Sequence, residues 1–357
     1  MSNIGLVASE SHPSRGAGPQ PLAISRWLFA VAALVVFIVA VGGITRLTES
    51  GLSITEWKPV TGTLPPLNEA QWQAEFEAYK QIPQYTEVNG PAGMTLQDYK
   101  FIYFWEWVHR LIARLIGLAF FVPLVWFWIR GAIPPGFKPR LVGLLVLGGM
   151  QGAIGWWMVT SGLAADVKVS HFRLATHLLV ALLTLGALTW TALDMRALAR
   201  GEAPSRLGRF TLFVLAALAL QLFYGALVAG LRAGYVANDW PLMQDRLVPA
   251  GIDWSLGLGH ALVSDPFLTH FIHRWWAWVV VAILVVAARR LRRAGERPAS
   301  IAIHLAFGTQ ILLGIATVMT GVALWIAVLH QLVGALLVAA TVWGAHALGR
   351  TRQEQDS

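Results

Sequence analysis

Four histidines stand out in a chain that is otherwise strongly apolar: His109 and His177 in the first half, His273 and His330 in the second. An imidazole facing lipid is costly, so one such residue in each of four apolar segments reads as a ligand looking into a bundle interior. Neutral imidazole is a good iron ligand. The chain has no cysteine, which excludes disulfides, thiolate-ligated haem, iron–sulfur clusters and zinc–cysteine sites. It therefore also lacks the C-x-x-C-H signature of covalently attached haem. Two imidazole pairs thus predict two haem sites, each held non-covalently.

The surroundings of the two sites differ. Glu106 lies three residues before His109 on the same helical face, and aligning the two His-Arg pairs puts His270 at the corresponding place before His273. A carboxylate within the membrane is a functional-site candidate by default. Arg110 and Arg274 follow the ligand histidines, and Arg46 and Arg232 close the first and fifth helices. A guanidinium fork suits a haem propionate, a reading the repeat favours for Arg110 and Arg274; Arg46 and Arg232, propionate candidates too, read first as helix-end arginines that snorkel to the interface. Arg114, one turn beyond Arg110, corresponds to Trp278; it suits an ion pair or a water-lined pocket as well as substrate contact. The other histidines carry no chemistry: His12 in the tail, His171 off the ligand face, His260 in a loop, and His304 and His346 without partners. A lone buried imidazole ordinarily bridges helices.

The elements that must position these groups follow from composition. Residues are 56% hydrophobic and 13% charged, with a mean hydropathy of +0.58, outside the range of soluble domains. A window of about 19 residues finds eight apolar stretches, at 26–46, 102–129, 140–162, 170–193, 208–231, 266–288, 299–322 and 324–347. Lys and Arg collect in alternate loops, at Arg130, Lys138 and Arg140, at Arg196 to Arg209, and at Arg289 to Arg297, with Arg350 and Arg352 at the end. Both termini are then cytoplasmic. The net charge of +8 is this topology signal, and no nucleic-acid partner is needed to explain it.

The chain also repeats itself. Gln151-x3-Gly155-x6-Gly162 matches Gln310-x3-Gly314-x6-Gly321, His109-Arg110 matches His273-Arg274, and Gly51-x5-Trp57 with Pro59 matches Gly234-x5-Trp240 with Pro241. Four helices per repeat give halves of equal orientation. The expected fold is an all-α polytopic membrane protein, two tandem four-helix bundles related by a pseudo-two-fold axis. Its parts are a disordered cytoplasmic tail at 1–25, bundles at 26–193 and 208–347, a linker at 194–207 and a cytoplasmic tail at 348–357. Helix two faces helix four, and helix six faces helix eight, so each pair of histidines can hold one iron.

On these residues the chain resembles the haem A synthase family. The family's pattern is Glu-x-x-His-Arg in helix two with one histidine in each of helices four, six and eight. It is met by Glu106, His109 and Arg110, by His177, by His273-Arg274 and by His330. The segment from Gly42-Gly43-Ile44-Thr45-Arg46 to Glu56-Trp57-Lys58-Pro59 is similar to the family's first outer loop. Lacking cysteine, the chain resembles the proteobacterial and mitochondrial branch; without a transit-peptide pattern, a bacterial inner (plasma) membrane is the expected location.

The resemblance implies oxidation of a methyl group of haem O to a formyl group, through an alcohol, to give haem A for cytochrome oxidase. The substrate haem O would lie between His109 and His177, and cofactor haem b between His273 and His330. Glu106 would be the catalytic residue, transferring a proton or stabilising positive charge. Haem O synthase (protohaem farnesyltransferase) and cytochrome oxidase assembly are the implied pathway partners, with an unidentified electron donor. A homo-oligomer in the bilayer is compatible with this. The alternative is a bis-histidine dihaem cytochrome that only transfers electrons. A third reading, a transporter with histidine proton relays, predicts no haem.

Overall fold

The computed structural model describes residues 18–58, 61–164 and 166–356; most of the expected N-terminal tail, with His12, and Pro59 of the repeated loop motif lie outside them. Among the described residues the chain is helical, apart from an isolated bridge between Met243 and Arg246. The helices are α1 (Pro21–Leu47), α2 (Glu69–Tyr79), α3 (Leu96–Ile129), α4 (Lys138–Ala164), α5 (His171–Leu198), α6 (Arg209–Leu231), α7 (Gly257–Ser264), α8 (Pro266–Arg293), α9 (Arg297–Met319) and α10 (Leu324–Asp356). All but α2 and α7 are long and apolar enough to cross a membrane.

Several of these helices outrun the apolar stretches read from hydropathy. α1 starts at Pro21, inside the expected tail, since proline suits the first helical position and Ile24, Ser25 and Leu28 are already buried. α8 continues through its arginines to Arg293, and α10 continues to Asp356. Hydropathy reports the hydrocarbon-crossing part only.

Local signals fix the ends and one awkward interior. Thr95 caps α3: its hydroxyl accepts from Asp98 N–H, and the Asp98 carboxylate accepts from Thr95 N–H. Pro123 lies inside α3 and cannot bond the carbonyl one turn back, at Ala119. Trp27 of α1 donates its indole N–H to that carbonyl at 2.8 Å, as lipid burial requires.

The helices form two rings of neighbours. α1 packs on α3, α3 on α4, α4 on α5 and α5 on α1; α6, α8, α9 and α10 pack in the same cyclic order. Between the rings α1 meets α10, α5 meets α6, and α5 meets α10. The main apolar core follows this seam. Leu28, Val31, Val35 and Val39 of α1, at helical spacing, join Leu185 and Leu188 of α5, Leu218 of α6, Leu284 of α8 and Val338 of α10.

The two ends differ. At the end with the long loops, α2 and a turn of π-helix at Gln84–Asn89 cover α3, with Phe76 stacked on Tyr99 at 5.0 Å. Tyr79 donates to Gln84 Oε1 and accepts from Asn89, and burial pushes its phenol up to about 12.

At the arginine-rich end the expectation that His346 has no partner is overturned. Its Nε2 lies 2.9 Å from Asp194 Oδ1; Asp194 also accepts from Arg140 Nη1 and Ser205 N–H. The partners lie on α4, α5 and the segment between α5 and α6, out of reach of sequence spacing. His304 Nδ1 lies 2.8 Å from the Ser300 carbonyl. His260 lies in α7 rather than in a loop, and His171 opens α5 with its Nε2 3.3 Å from Ser264 Oγ.

Candidate functional site

Each of the four histidines rests against a glycine of the neighbouring helix. A Cβ on Gly42 of α1 would lie 3.1 Å from His109 Cε1, and one on Gly225 of α6 would lie 2.9 Å from His273 Cε1. Likewise Gly155 of α4 would meet His177 at 3.0 Å, and Gly314 of α9 would meet His330 at 3.0 Å. Only a residue without a side chain lets the helix approach an imidazole so closely. The rings therefore have fixed places inside the two bundles.

In the second half the paired rings are orthogonal, with centroids 6.5 Å apart. Half that distance is about the reach from a ring centre to its nitrogen plus a metal–nitrogen bond of roughly 2 Å. A cavity of about 300 Å³ surrounds them, lined by His273, His330, Gln221, Gln310, Trp240 and Trp278 among others. His330 Nδ1 and the side-chain oxygens of Gln221 and Gln310 are buried without a hydrogen-bond partner, as groups awaiting a ligand would be. Among the described residues no three His, Cys, Asp or Glu side chains converge on a metal site. Two imidazoles facing one cavity thus suit a metal whose remaining ligands come from a macrocycle. In the first half His109 Nδ1 is likewise buried without a partner.

Glu106 is buried and fully bonded. Its Oε2 accepts from Ser53 Oγ at 2.7 Å and Ile54 N–H at 2.8 Å; its Oε1 accepts from Arg110 Nη2 at 2.7 Å and Nε at 3.1 Å. A carboxylate has about four acceptor positions, so this one is filled. Arg110 also donates to the carbonyls of Ile54 and Glu56. Arg274 does the same at the matching places, Ala237 and Asp239, and adds Leu242. Its Nε donates to His270 Nε2 at 3.0 Å, where Arg110 has Glu106. The two arginines staple equivalent loops over the two sites, one through a carboxylate and the other through an imidazole.

The remaining cations also have defined places. Arg46 reaches from α1 to the Ala229 carbonyl at the end of α6, 2.8 Å away, and Arg232 ion-pairs with Glu49 across the seam. Both line the second-half cavity. Arg114 donates to the Lys58 carbonyl, and Trp107 donates to that of Thr63, so both hold the first loop. Trp156 meets Trp57 edge-on at 4.9 Å. Trp157 is half exposed beneath Arg173.

Similarity to known proteins accords with this arrangement. The sequence profile of the family described as "Cytochrome oxidase assembly protein" matches residues 25–342. A protein named "Heme A synthase" from Novosphingobium aromaticivorans is 69% identical over 95% of this chain and 99% of its own length. Another of that name, from Sphingopyxis alaskensis, is 56% identical over 95% of this chain and 96% of its own. One from Rhodopseudomonas palustris is 46% identical over 94% and 92%. The chain belongs to the haem A synthase family.

For a haem A synthase family member, the sequence had yielded the four histidines and Glu106 but not what holds them. Gly225 carries no sequence signal of its own, whereas Gln221 extends the Gln-x3-Gly spacing of Gln151 and Gln310 to a third helix. Reading that spacing across every helix, rather than between repeats only, would have found it. Ser53, by contrast, left no signal, because it reaches Glu106 through the fold of a loop.

Proposed function

We propose that this chain is a haem A synthase that oxidises the methyl group of haem O to a formyl group, through the alcohol, yielding haem A. Haem O binds in the first half between His109 and His177, and haem b in the second between His273 and His330. Bound haem b supplies a redox centre beside the seam of the two halves. The cyclic packing of residues 26–193 and of 208–347 supports two bundles related by a pseudo-two-fold axis, joined by the linker 194–207.

One observation carries the division of labour. In two frames with matching histidines, glycines and loop-stapling arginines, Glu106 stands beside one pair and His270 beside the other. A buried carboxylate with all its acceptor positions filled is suited to act as a fixed negative charge opposite positive charge developing on the substrate. This favours electrostatic stabilisation over proton transfer for Glu106. Arg110 and Arg274 act by closing the loops, since their donors are engaged there. Arg46 and Arg232, beside the second cavity, are placed to meet propionates, and Arg46 Nε is buried without a partner.

The concentration of arginine at one end supports cytoplasmic termini in a bacterial inner membrane. The substrate comes from a farnesylating enzyme acting on protohaem, and the product goes to cytochrome oxidase. The test is coexpression with a haem O-producing enzyme, followed by extraction of total haem. Haem A in the wild type, lost in Glu106→Ala with haem b retained, supports the reading. Bound haem b without haem A, while haem O is abundant, would favour the electron-transfer cytochrome instead.

A further inference from the structure

On its α8 and α9 side the second-half cavity is lined by Val281, Phe307 and Ile311. Aligning the ligand histidines of α3 and α8, and the Gln-x3-Gly segments of α4 and α9, puts Gly117, Gly148 and Gly152 at the corresponding places. All three are exposed, and nothing lies within 4 Å of a Cβ built on any of them. The first-half site thus lacks three side chains of wall, on two neighbouring helices. No such space opens on α1 and α5. The place at Gly43, counterpart of Ala226, is filled by Gln331, and Ala181 stands where Gly334 lines the second cavity.

The gap faces lipid, since α1 and α5 form the seam with the second half and α3 and α4 lie away from it. It also has a direction. Leu124 and Trp128 follow Gly117 at seven and eleven residues on α3, and Leu145 precedes Gly152 by seven on α4, so they share the faces of those glycines. With Val125, Ile129 and Val142 they line an apolar groove of about 270 Å³ between the two helices, about 10 Å nearer the arginine-rich end. Between the glycines of α4, Gln151 Oε1 is buried without a partner, as is Nδ1 of His109 on α3. Unfilled polar atoms of this kind call for a ligand.

We propose that Gly117, Gly148 and Gly152 admit the isoprenoid chain of haem O between α3 and α4, and that Val281, Phe307 and Ile311 exclude it from the second half. The proposal rests on the two-haem reading above. The two haems share a porphyrin core, and only the substrate carries the chain that farnesylation adds. An apolar chain gains little on passing from lipid to an apolar slot, because the two surroundings are alike. The walls therefore select by room. A chain pressed against Val281, Phe307 and Ile311 overpacks the site, whereas one that meets three glycines passes them and lies along Leu124, Trp128 and Leu145. Both halves offer two imidazoles, so the wall, and not the ligand set, sorts the haems.

Haem extracted from protein purified out of haem O-producing cells tests this, with prenylated haem (haem O and its oxidation products) and haem b counted separately per chain. The wild type should hold both. Gly148→Phe combined with Gly152→Ile copies the second-half wall. It should lower prenylated haem by at least about 10-fold, the least that one methylene mismatch costs in a closed pocket, with haem b retained. Val146→Phe, on the opposite, exposed face of α4, should lose none. In the reverse direction, Phe307→Ala combined with Ile311→Ala should let prenylated haem into the second half and raise its ratio to haem b above that of the wild type. Prenylated haem kept at the wild-type level by the α4 double variant, an equal loss in Val146→Phe, or an unchanged ratio in the reverse variant would each overturn the proposal. Should the α4 double variant lose both haems, the reverse variant alone decides. A wild type lacking either haem would instead overturn the two-haem reading, and this proposal with it.

Discussion

Glu106 Oε1 and Arg110 Nη2 lie 2.7 Å apart on successive turns of α3, and the pair carries the loop that covers the first-half site: Ser53 and Ile54 donate to the carboxylate, and the guanidinium donates to the carbonyls of Ile54 and Glu56. Glu106→Gln keeps the shape but removes the charge. Haem A formation should fall by at least about 100-fold, the scale of losing a preorganised electrostatic group, while haem b stays bound. Haem extraction after coexpression with a haem O producer measures both.

The glycine shelves give a steric prediction. Gly225→Ala puts a methyl group 2.9 Å from His273 Cε1, so the ring must move. The second-half haem spectrum should lose its bis-imidazole character, and stability should fall by about 1–3 kcal/mol. Gly148→Ala on α4, where nothing lies within 4 Å, should leave the spectrum intact and be neutral or stabilising by up to about 1 kcal/mol.

Away from the haem sites, Asp194 joins Arg140, His346 and the N–H of Ser205. Removing one partner of a buried charged network typically costs about 3–5 kcal/mol. Asp194→Ala should therefore lower the melting temperature in detergent. Haem per folded protein should not change, because the network lies at the opposite end from the imidazoles.

Much of this was legible in the sequence because its causes are local or periodic. Eight apolar stretches must be helices in lipid, and four imidazoles in such helices call for a reason. What the sequence left out is contact between residues far apart in the chain. Ser53 meets Glu106 across 53 positions, and His346 meets Asp194 across 152. Arg110 and Arg274 are legible as cations beside the ligand histidines, but the loops they hold have no visible shape in the sequence. In the fold Arg110 donates to the carbonyls of Ile54 and Glu56, and Arg274 to those of Ala237, Asp239 and Leu242.

A pH effect is expected at the arginine-rich end. Glu202 is held below its ordinary 4.5 first by the hydrogen bond from Arg200 and then by the charge of Arg350. A lowered folded value means that its stabilisation is present above the unfolded value and lost as pH falls through the folded one. The melting temperature of Glu202→Gln should lie below that of the wild type at pH 7. The two should converge below pH 4.5.

The division between halves is tested most directly by identifying the haems in purified His177→Ala and His330→Ala proteins from cells that make haem O. The account predicts that His177→Ala keeps haem b but neither holds haem O nor forms haem A, whereas His330→Ala loses haem b. Loss of the same haem from both variants, or haem A formation by His177→Ala at the wild-type level, would contradict it.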